Sequence, residues 1–189
     1  RSCLVGSEMC IRDSIRAGDC YQVNLAVPFS GACDADPLEV YAALAARQPA
    51  PYGAFLETRH GAVLSCSPER LLHCEGGRVR TSPIKGTVAR SADPDADARA
   101  QARLAGSEKD RAENLMIVDL LRNDLGRSCA PGTIEVPKLF EVQSFAEVHH
   151  LVSTIEGRFA AGVAPLEALA HAFPGGSITG APKRRAMEI

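Results

Sequence analysis

No charge of either sign is in excess in this chain: 21 Lys and Arg stand against 23 Asp and Glu, a net charge of −2 over 189 residues. Without a basic field there is no bulk attraction for a phosphate backbone, which excludes nucleic-acid binding by charge alone. No uninterrupted apolar run approaches a bilayer span, so neither a transmembrane helix nor a membrane partner is expected. The seven cysteines, Cys3, Cys10, Cys20, Cys33, Cys66, Cys74 and Cys129, form no Cys-x-x-Cys pair and have no histidine at ligand spacing. That pattern excludes a zinc site. An odd set of thiols without a secretory signal is expected to stay reduced in the cytoplasm, as small buried hydrophobes. Internal repeats are absent, and the Ala-rich stretch from Asp93 to Ala105 is the only low-complexity feature. What remains is 46% hydrophobic and 23% charged, the balance of a folded globular chain.

Both ends read as cut. No initiator methionine opens the chain, and Lys183 to Ile189 read as a helix that begins and stops without a cap. Arg1 to Ser14 fit neither strand nor helix patterning, and Val5 to Ser14 resembles translated sequencing-adapter read-through. Residues 1–14 are therefore expected to be non-native and residues 15–189 to form part of a catalytic domain.

From Tyr21 the pattern alternates: Tyr21, Val23, Leu25, Val27 and Phe29 share one face, which predicts a half-buried strand. Asp36-Pro37 opens a helix over Leu38 to Arg47 that Pro49 and Pro51 end. Strands are predicted over Gly53–Glu57 and Ala62–Ser67. Gly76-Gly77 then predicts a hairpin that returns through Val79 to Thr87. That hairpin brings Glu69 back toward Lys85; a three-residue loop would pair them on one face and a two-residue loop would not, and the sequence leaves this register open. Ser91 to Asp97 reads as a surface loop. Ser107 starts a largely buried helix from Glu108 to Leu125, which Gly126 ends. Strands over Thr133–Val136 and Val148–Ile155 and a helix over Pro165–Ala172 complete the pattern.

Several of these positions can carry chemistry. Glu113 lies in the buried-looking helix, where an unpaired carboxylate is expensive, and Asp110 sits one turn earlier on the same face. A divalent cation would relieve both, and an oxygen-only pair suits Mg²⁺; equally, Asp110 can cap the helix while Glu113 pairs with Arg111 or another base. Lys85, between Ile84 and Gly86, is a nucleophile if its amine is neutral and a snorkelling surface lysine otherwise. Glu69 with Lys85 makes either a salt bridge or an acid and nucleophile couple. His150 shares its face with Val148 and Val152 and reads as a core histidine, with His149 pointing the other way, exposed or paired. Gly175 to Gly180 offers backbone N–H groups to an anion, but Ala181-Pro182 follows where a P-loop needs Lys and Ser or Thr.

Taken in order, the stretches Gly18–Leu25, Ser67-Pro68-Glu69-Arg70, Pro83-Ile84-Lys85-Gly86-Thr87, Lys109–Asp124, Val148–Ser153 and Phe173–Lys183 resemble the chorismate-utilising enzymes. The resemblance covers Ile15 to Ile189. It implies an α+β fold of antiparallel β-sheets packed face to face with flanking helices. Anthranilate synthases typically carry Ala where this chain has Lys85, so the resemblance is to the aminodeoxychorismate-forming branch. Gln22 stands where water-activating members carry Lys, which argues against attack by water. For this chain the resemblance implies Lys85 as nucleophile and Glu69 as general acid. Thr87, His150, Gly175, Gly176, Ser177 and Thr179 would bind substrate, and Glu113 would hold Mg²⁺ with Asp110 as outer support. It further implies chorismate as substrate, ammonia from a glutamine amidotransferase partner, and no turnover by these 189 residues alone. Anthranilate synthase chemistry, or a homologue that only binds a partner, are the alternatives.

Overall fold

The structure, a computed structural model, describes residues 2–189. The chain runs α1 (Ser2–Arg16), β1 (Gln22–Val23), α2 (Pro37–Arg47), β2 (Tyr52–Thr58), β3 (Gly61–Ser67), β4 (His73–Glu75), β5 (Arg78–Thr81) and β6 (Ile84–Ala89). It continues through α3 (Pro94–Ala105), α4 (Glu108–Gly126), β7 (Glu135–Ser144), β8 (Val148–Arg158), α5 (Pro165–Ala172), α6 (Gly176–Thr179), β9 (Gly180–Ala181) and α7 (Lys183–Glu188). Two compact units divide it: Ala26–Arg70 is one, and the residues up to Leu25 with Leu71–Ile189 are the other. Helices mixed with antiparallel sheets make this the expected α+β class.

In the smaller unit, Asp36 caps α2 by accepting from the N–H groups of Leu38 (2.8 Å) and Glu39 (3.3 Å), with Pro37 preset for the first turn. The β2–β3 hairpin pairs Thr58 with Gly61 at its turn and Tyr52 with Ser67 at its base. The Phe55 ring packs 5.8 Å from Tyr41 of α2.

The larger unit is built on β8. β5 and then β6 pair along one of its edges (Thr81 with Ile155, Ile84 with Val152, Thr87 with His150), and β7 pairs along the other. A strand flanked on both edges has every ladder bond satisfied, and β8 is buried along most of its length. α4 covers one face of this sheet. Its Ile117, Val118, Leu121 and Leu125 join Val79, Ile155 and Cys129 in the core. The helical spacing of that stripe is what a sheet-covering helix requires. Ser107 Oγ caps α4 by accepting from the Asp110 N–H at 3.3 Å. Asn114, fully buried beside the stripe, donates to the Leu151 carbonyl (3.2 Å) and accepts from Ser153 Oγ (2.5 Å). Helix and sheet therefore share one rotational setting.

Several expectations are corrected. The Tyr21–Phe29 strand shrinks to Gln22–Val23, paired with β9, and Leu25, Val27 and Phe29 stand exposed. Alternation marks a face that can be buried, but a strand also needs a ladder, and β9 supplies two residues of one. The Val79–Thr87 run breaks at Ser82-Pro83 into β5 and β6. Much of the region read as loop and low-complexity sequence is α3, with Asp93 as its cap. β7 runs on to Ser144, beyond the predicted Val136. Residues of the segment set aside at the start are helical, in α1, although the pattern suggested neither helix nor strand; Arg1 and the reading of the Cys3 side chain lie outside the described residues. No helix among the described residues is long and apolar enough to cross a membrane.

Candidate active site

Gly86 brings α4 against β6. Its φ is +90°, and a Cβ there would lie 2.9 Å from both the Asp110 Cβ and the Leu104 Cδ1. Only glycine allows this approach, which sets Asp110 beside the Lys85-Gly86-Thr87 segment. Across the ladder, Thr87 Oγ1 and His150 Nδ1 lie 2.8 Å apart, and Phe145 packs 5.4 Å from the imidazole. Burial lowers the His150 pKa, so the ring is neutral at pH 7 and keeps one donor and one acceptor nitrogen. Thr87, His150 and Asp110 thus gather around the strand that carries Lys85.

His149 is paired, one of the two states expected of it, whereas the core position expected of His150 falls to it as well. His149 is the buried one, between Ser144 Oγ (2.8 Å) and Asp97 Oδ1 (3.1 Å). His150 is only partly buried. The Arg90 guanidinium, then the Ser91 N–H, hold the Asp97 carboxyl well below the usual carboxylate range. The face of β8 that carries His149 also carries Leu151, Ser153 and Ile155 and lies under helices, so face-sharing with Val148 and Val152 pointed to the wrong residue.

Glu113 is corrected in its burial. Its side chain is 43% exposed and lies 3.9 Å from Lys109, one turn back on α4. Arg111, the other candidate partner, lies over the Phe140 ring at 4.8 Å instead. An exposed carboxylate needs no cation to neutralise it, so burial gives no argument for a metal. Glu113 lines a hollow of about 320 Å³ with Tyr21, Gln22, Ala112 and Met116. Among the described residues no group of three His, Cys, Asp or Glu converges on one point. A lone carboxylate of this kind is compatible with Mg²⁺, which takes one or two carboxylates and keeps its waters, and does not by itself define a metal site.

The Gly175–Gly180 loop forms α6. The Gly175 carbonyl accepts from the Ile178 N–H (3.1 Å) and from the N–H and hydroxyl of Thr179 (3.2 and 3.1 Å). These internal bonds occupy donors that the sequence reading left for an anion, while the Gly176 and Ser177 N–H groups make no such bond within the loop. Asn24 fixes the crown: its Nδ2 donates to the Ser177 carbonyl (2.8 Å) and its N–H to the Thr179 carbonyl (2.9 Å), while Gln22 Nε2 donates to its Oδ1 (2.9 Å). Asn24 was missed as a site residue. Its place with Gln22 on the polar face of the alternating run was the available signal.

Glu69 lies in the smaller unit, where the Ser67 hydroxyl donates to its carbonyl (2.7 Å) and accepts from its N–H (3.3 Å). The hairpin register left open is resolved: Glu75 pairs with Arg78 across a two-residue Gly76-Gly77 turn, with φ +56° and +75°. The ladder ends at His73 and Arg80. This hairpin does not itself set Glu69 opposite Lys85. An adjoining hollow of about 690 Å³ along α4 shares Tyr21, Ala112 and Met116 with the Glu113 hollow and is lined further by Leu115, Leu120, Asp124 and Lys183 among others, but by none of the predicted catalytic or metal residues.

Comparison with known proteins adds the family context. The family model described as chorismate binding enzyme matches residues 9–189. Aminodeoxychorismate synthase component 1 of Klebsiella aerogenes is 53% identical over 179 residues, covering 95% of this chain and 40% of that protein. Anthranilate synthase component 1 of Streptomyces coelicolor is 47% identical over 179 residues, 94% of this chain and 35% of that protein. Among solved structures, anthranilate synthase component I from Streptococcus pneumoniae superposes with a TM-score of 0.84 at 35% identity, covering 96% of this chain and 40% of that one. The chain thus spans 40% and 35% of the length of these two curated relatives.

Proposed function

The chain belongs to the chorismate binding enzymes, and from that premise we propose that residues 15–189 are part of the catalytic domain of an aminodeoxychorismate synthase component 1. The reaction is chorismate plus ammonia to 4-amino-4-deoxychorismate, with ammonia delivered by a glutamine amidotransferase partner. The observation that carries the reading is Lys85 on a strand whose Thr87 is bonded to a neutral His150. The name borne by the relative at 53% identity supports the same choice.

In this mechanism the neutral Lys85 amine adds to ring carbon 2 as the bond from carbon 4 to its hydroxyl breaks. Hydroxide is a poor leaving group, so protonated Glu69 supplies the proton and water departs. Ammonia then attacks carbon 4 and the carbon 2–nitrogen bond breaks, returning Lys85 to its amine. A covalent amine divides one hard displacement into two easier ones. Thr87, His150 and the Gly176 and Ser177 N–H groups orient the ring and its carboxylates, with Gly175 and Thr179 bonded to each other to hold the loop in shape. Glu113 would hold Mg²⁺, with Asp110 as outer support; when bound, the ion neutralises the ring carboxylate.

Anthranilate synthesis is the second reading, favoured by the 47% identity to the Streptomyces coelicolor protein. Supplying the full-length protein with chorismate, Mg²⁺ and ammonia separates the two. Product that an added lyase converts to p-aminobenzoate is expected. Fluorescent anthranilate appearing directly would overturn the assignment.

A further inference from the structure

The segment between α5 and α7 that contains the Gly175–Gly180 loop has two feet, and one side chain holds both. Lys183 Nζ lies 2.6 Å from Asp124 Oδ2 and 2.8 Å from the Ala172 carbonyl oxygen. Ala172 ends α5, Lys183 begins α7, and Asp124 lies near the end of α4. The ammonium therefore ties where the loop leaves to where it returns, and ties both to the helix beneath. It does so largely out of water, with the Lys183 and Asp124 side chains 17% and 8% exposed.

A buried ion pair is a weak source of net stability, because the cost of desolvating two charges offsets most of their attraction. That cost is visible at Asp124: burial pushes its carboxyl pKa up, against the opposing pull of Lys183 and Arg127. What the pair does supply is direction. A rotatable ammonium aimed at two fixed acceptors defines where the backbone of each foot lies. Higher on the loop, Gly176 packs on Leu120 and Asn24 bonds the Ser177 and Thr179 carbonyls. Those contacts hold the crown. Each foot also has a hold of its own, the Arg127 guanidinium donating to the His171 carbonyl (3.3 Å) and the Tyr21 N–H donating to the Ala181 carbonyl (2.8 Å), but Lys183 is the side chain that joins one foot to the other.

Resting on the reading of this loop as a substrate-binding element, we propose that Lys183 is a positioning residue that sets the loop's height over α4 without touching substrate. The charge pair with Asp124 locks the lysine, and the bond to Ala172 transmits its position to the loop. A small displacement of groups that grip a substrate carboxylate weakens binding far more than it changes folding stability.

Two variants separate positioning from folding. Lys183→Met removes the clamp but leaves Asp124 buried and unpaired, which lowers Tm. Lys183→Met with Asp124→Leu removes the orphaned charge and is expected to recover most of that Tm. In the 189-residue chain, amide hydrogen exchange of residues 175–181 should accelerate roughly tenfold in both variants, with residues 37–67 unchanged. In the full-length enzyme, KM for chorismate should rise roughly tenfold in both, with kcat changed far less. Unchanged loop exchange in the double variant would overturn the clamp. KM recovering together with Tm would reduce Lys183 to a folding role and overturn the positioning assignment. A wild-type enzyme inert toward chorismate would instead sink the catalytic reading, leaving exchange to judge the clamp.

Discussion

His150 ties protonation to the integrity of the candidate site. Burial holds its pKa below the ordinary value of about 6.5, so the folded chain favours the neutral ring. For a group whose pKa is depressed on folding, the associated stability is present above the unfolded pKa and is lost as pH falls through the folded value. Acidification from about pH 6.5 downward should therefore weaken the fold before most carboxylates titrate. His150→Gln keeps a polar partner for Thr87 but cannot be protonated. Its acid-unfolding profile, followed by circular dichroism, is expected to lose the earliest part of the transition. An unchanged profile would mean that His150 is not among the groups driving it. Asp97 contributes in the same direction at lower pH, since Arg90 holds its carboxyl deprotonated in the fold.

At the scale of elements, α4 decides where Asp110 and Glu113 sit, and it does so through one face. Ile117 is fully buried in the core while Leu115, two residues earlier, is 46% exposed. Ile117→Ala should cost about 2–5 kcal/mol, the range for emptying a well-packed aliphatic site. Leu115→Ala should stay within about 1 kcal/mol, since its side chain keeps much of its water in the fold. Urea unfolding of the two variants checks the contrast, and equal losses would mean that α4 faces the other way. Much of this helix was readable beforehand because Ser107 and Gly126 bracket an apolar stripe of the right period. α2 and α5 were readable for the same kind of reason, a proline set at the first turn. α3 carries a similar Asp-Pro start but buries only Leu104, so periodicity gave no sign of it. β7 was cut short because Pro137 reads as a breaker, and the bulge near Phe140, at φ +58°, interrupts its alternation. The link between Thr87 and His150 depends on a pairing between distant strands, which no local pattern encodes. The same limit hid the Lys183 bond to Asp124, although both residues lie in stretches that carry the family resemblance.

For the molecule as a whole, the described site is rich in positioning groups and poor in ligands. Among the described residues no three acidic or other ligating side chains converge, and Mg²⁺ bound by one carboxylate and water alone would be held loosely. Apolar side chains stand open as well: Phe29 is 98% exposed, and Leu25 and Val27 are close to half exposed. The relatives it matches are more than twice as long. Taken together, these features predict that the 189-residue chain, given chorismate, Mg²⁺ and ammonia, forms no aminodeoxychorismate, whereas a full-length protein carrying it does. Growth of a p-aminobenzoate auxotroph reads the same contrast in cells: rescue is expected from the full-length gene, and from neither the short chain nor full-length Lys85→Ala. Rescue by the short chain would show that Glu113 and the residues around Lys85 suffice for catalysis. Rescue by Lys85→Ala would remove the covalent amine from the mechanism and return the protein to the anthranilate-like or purely binding alternatives.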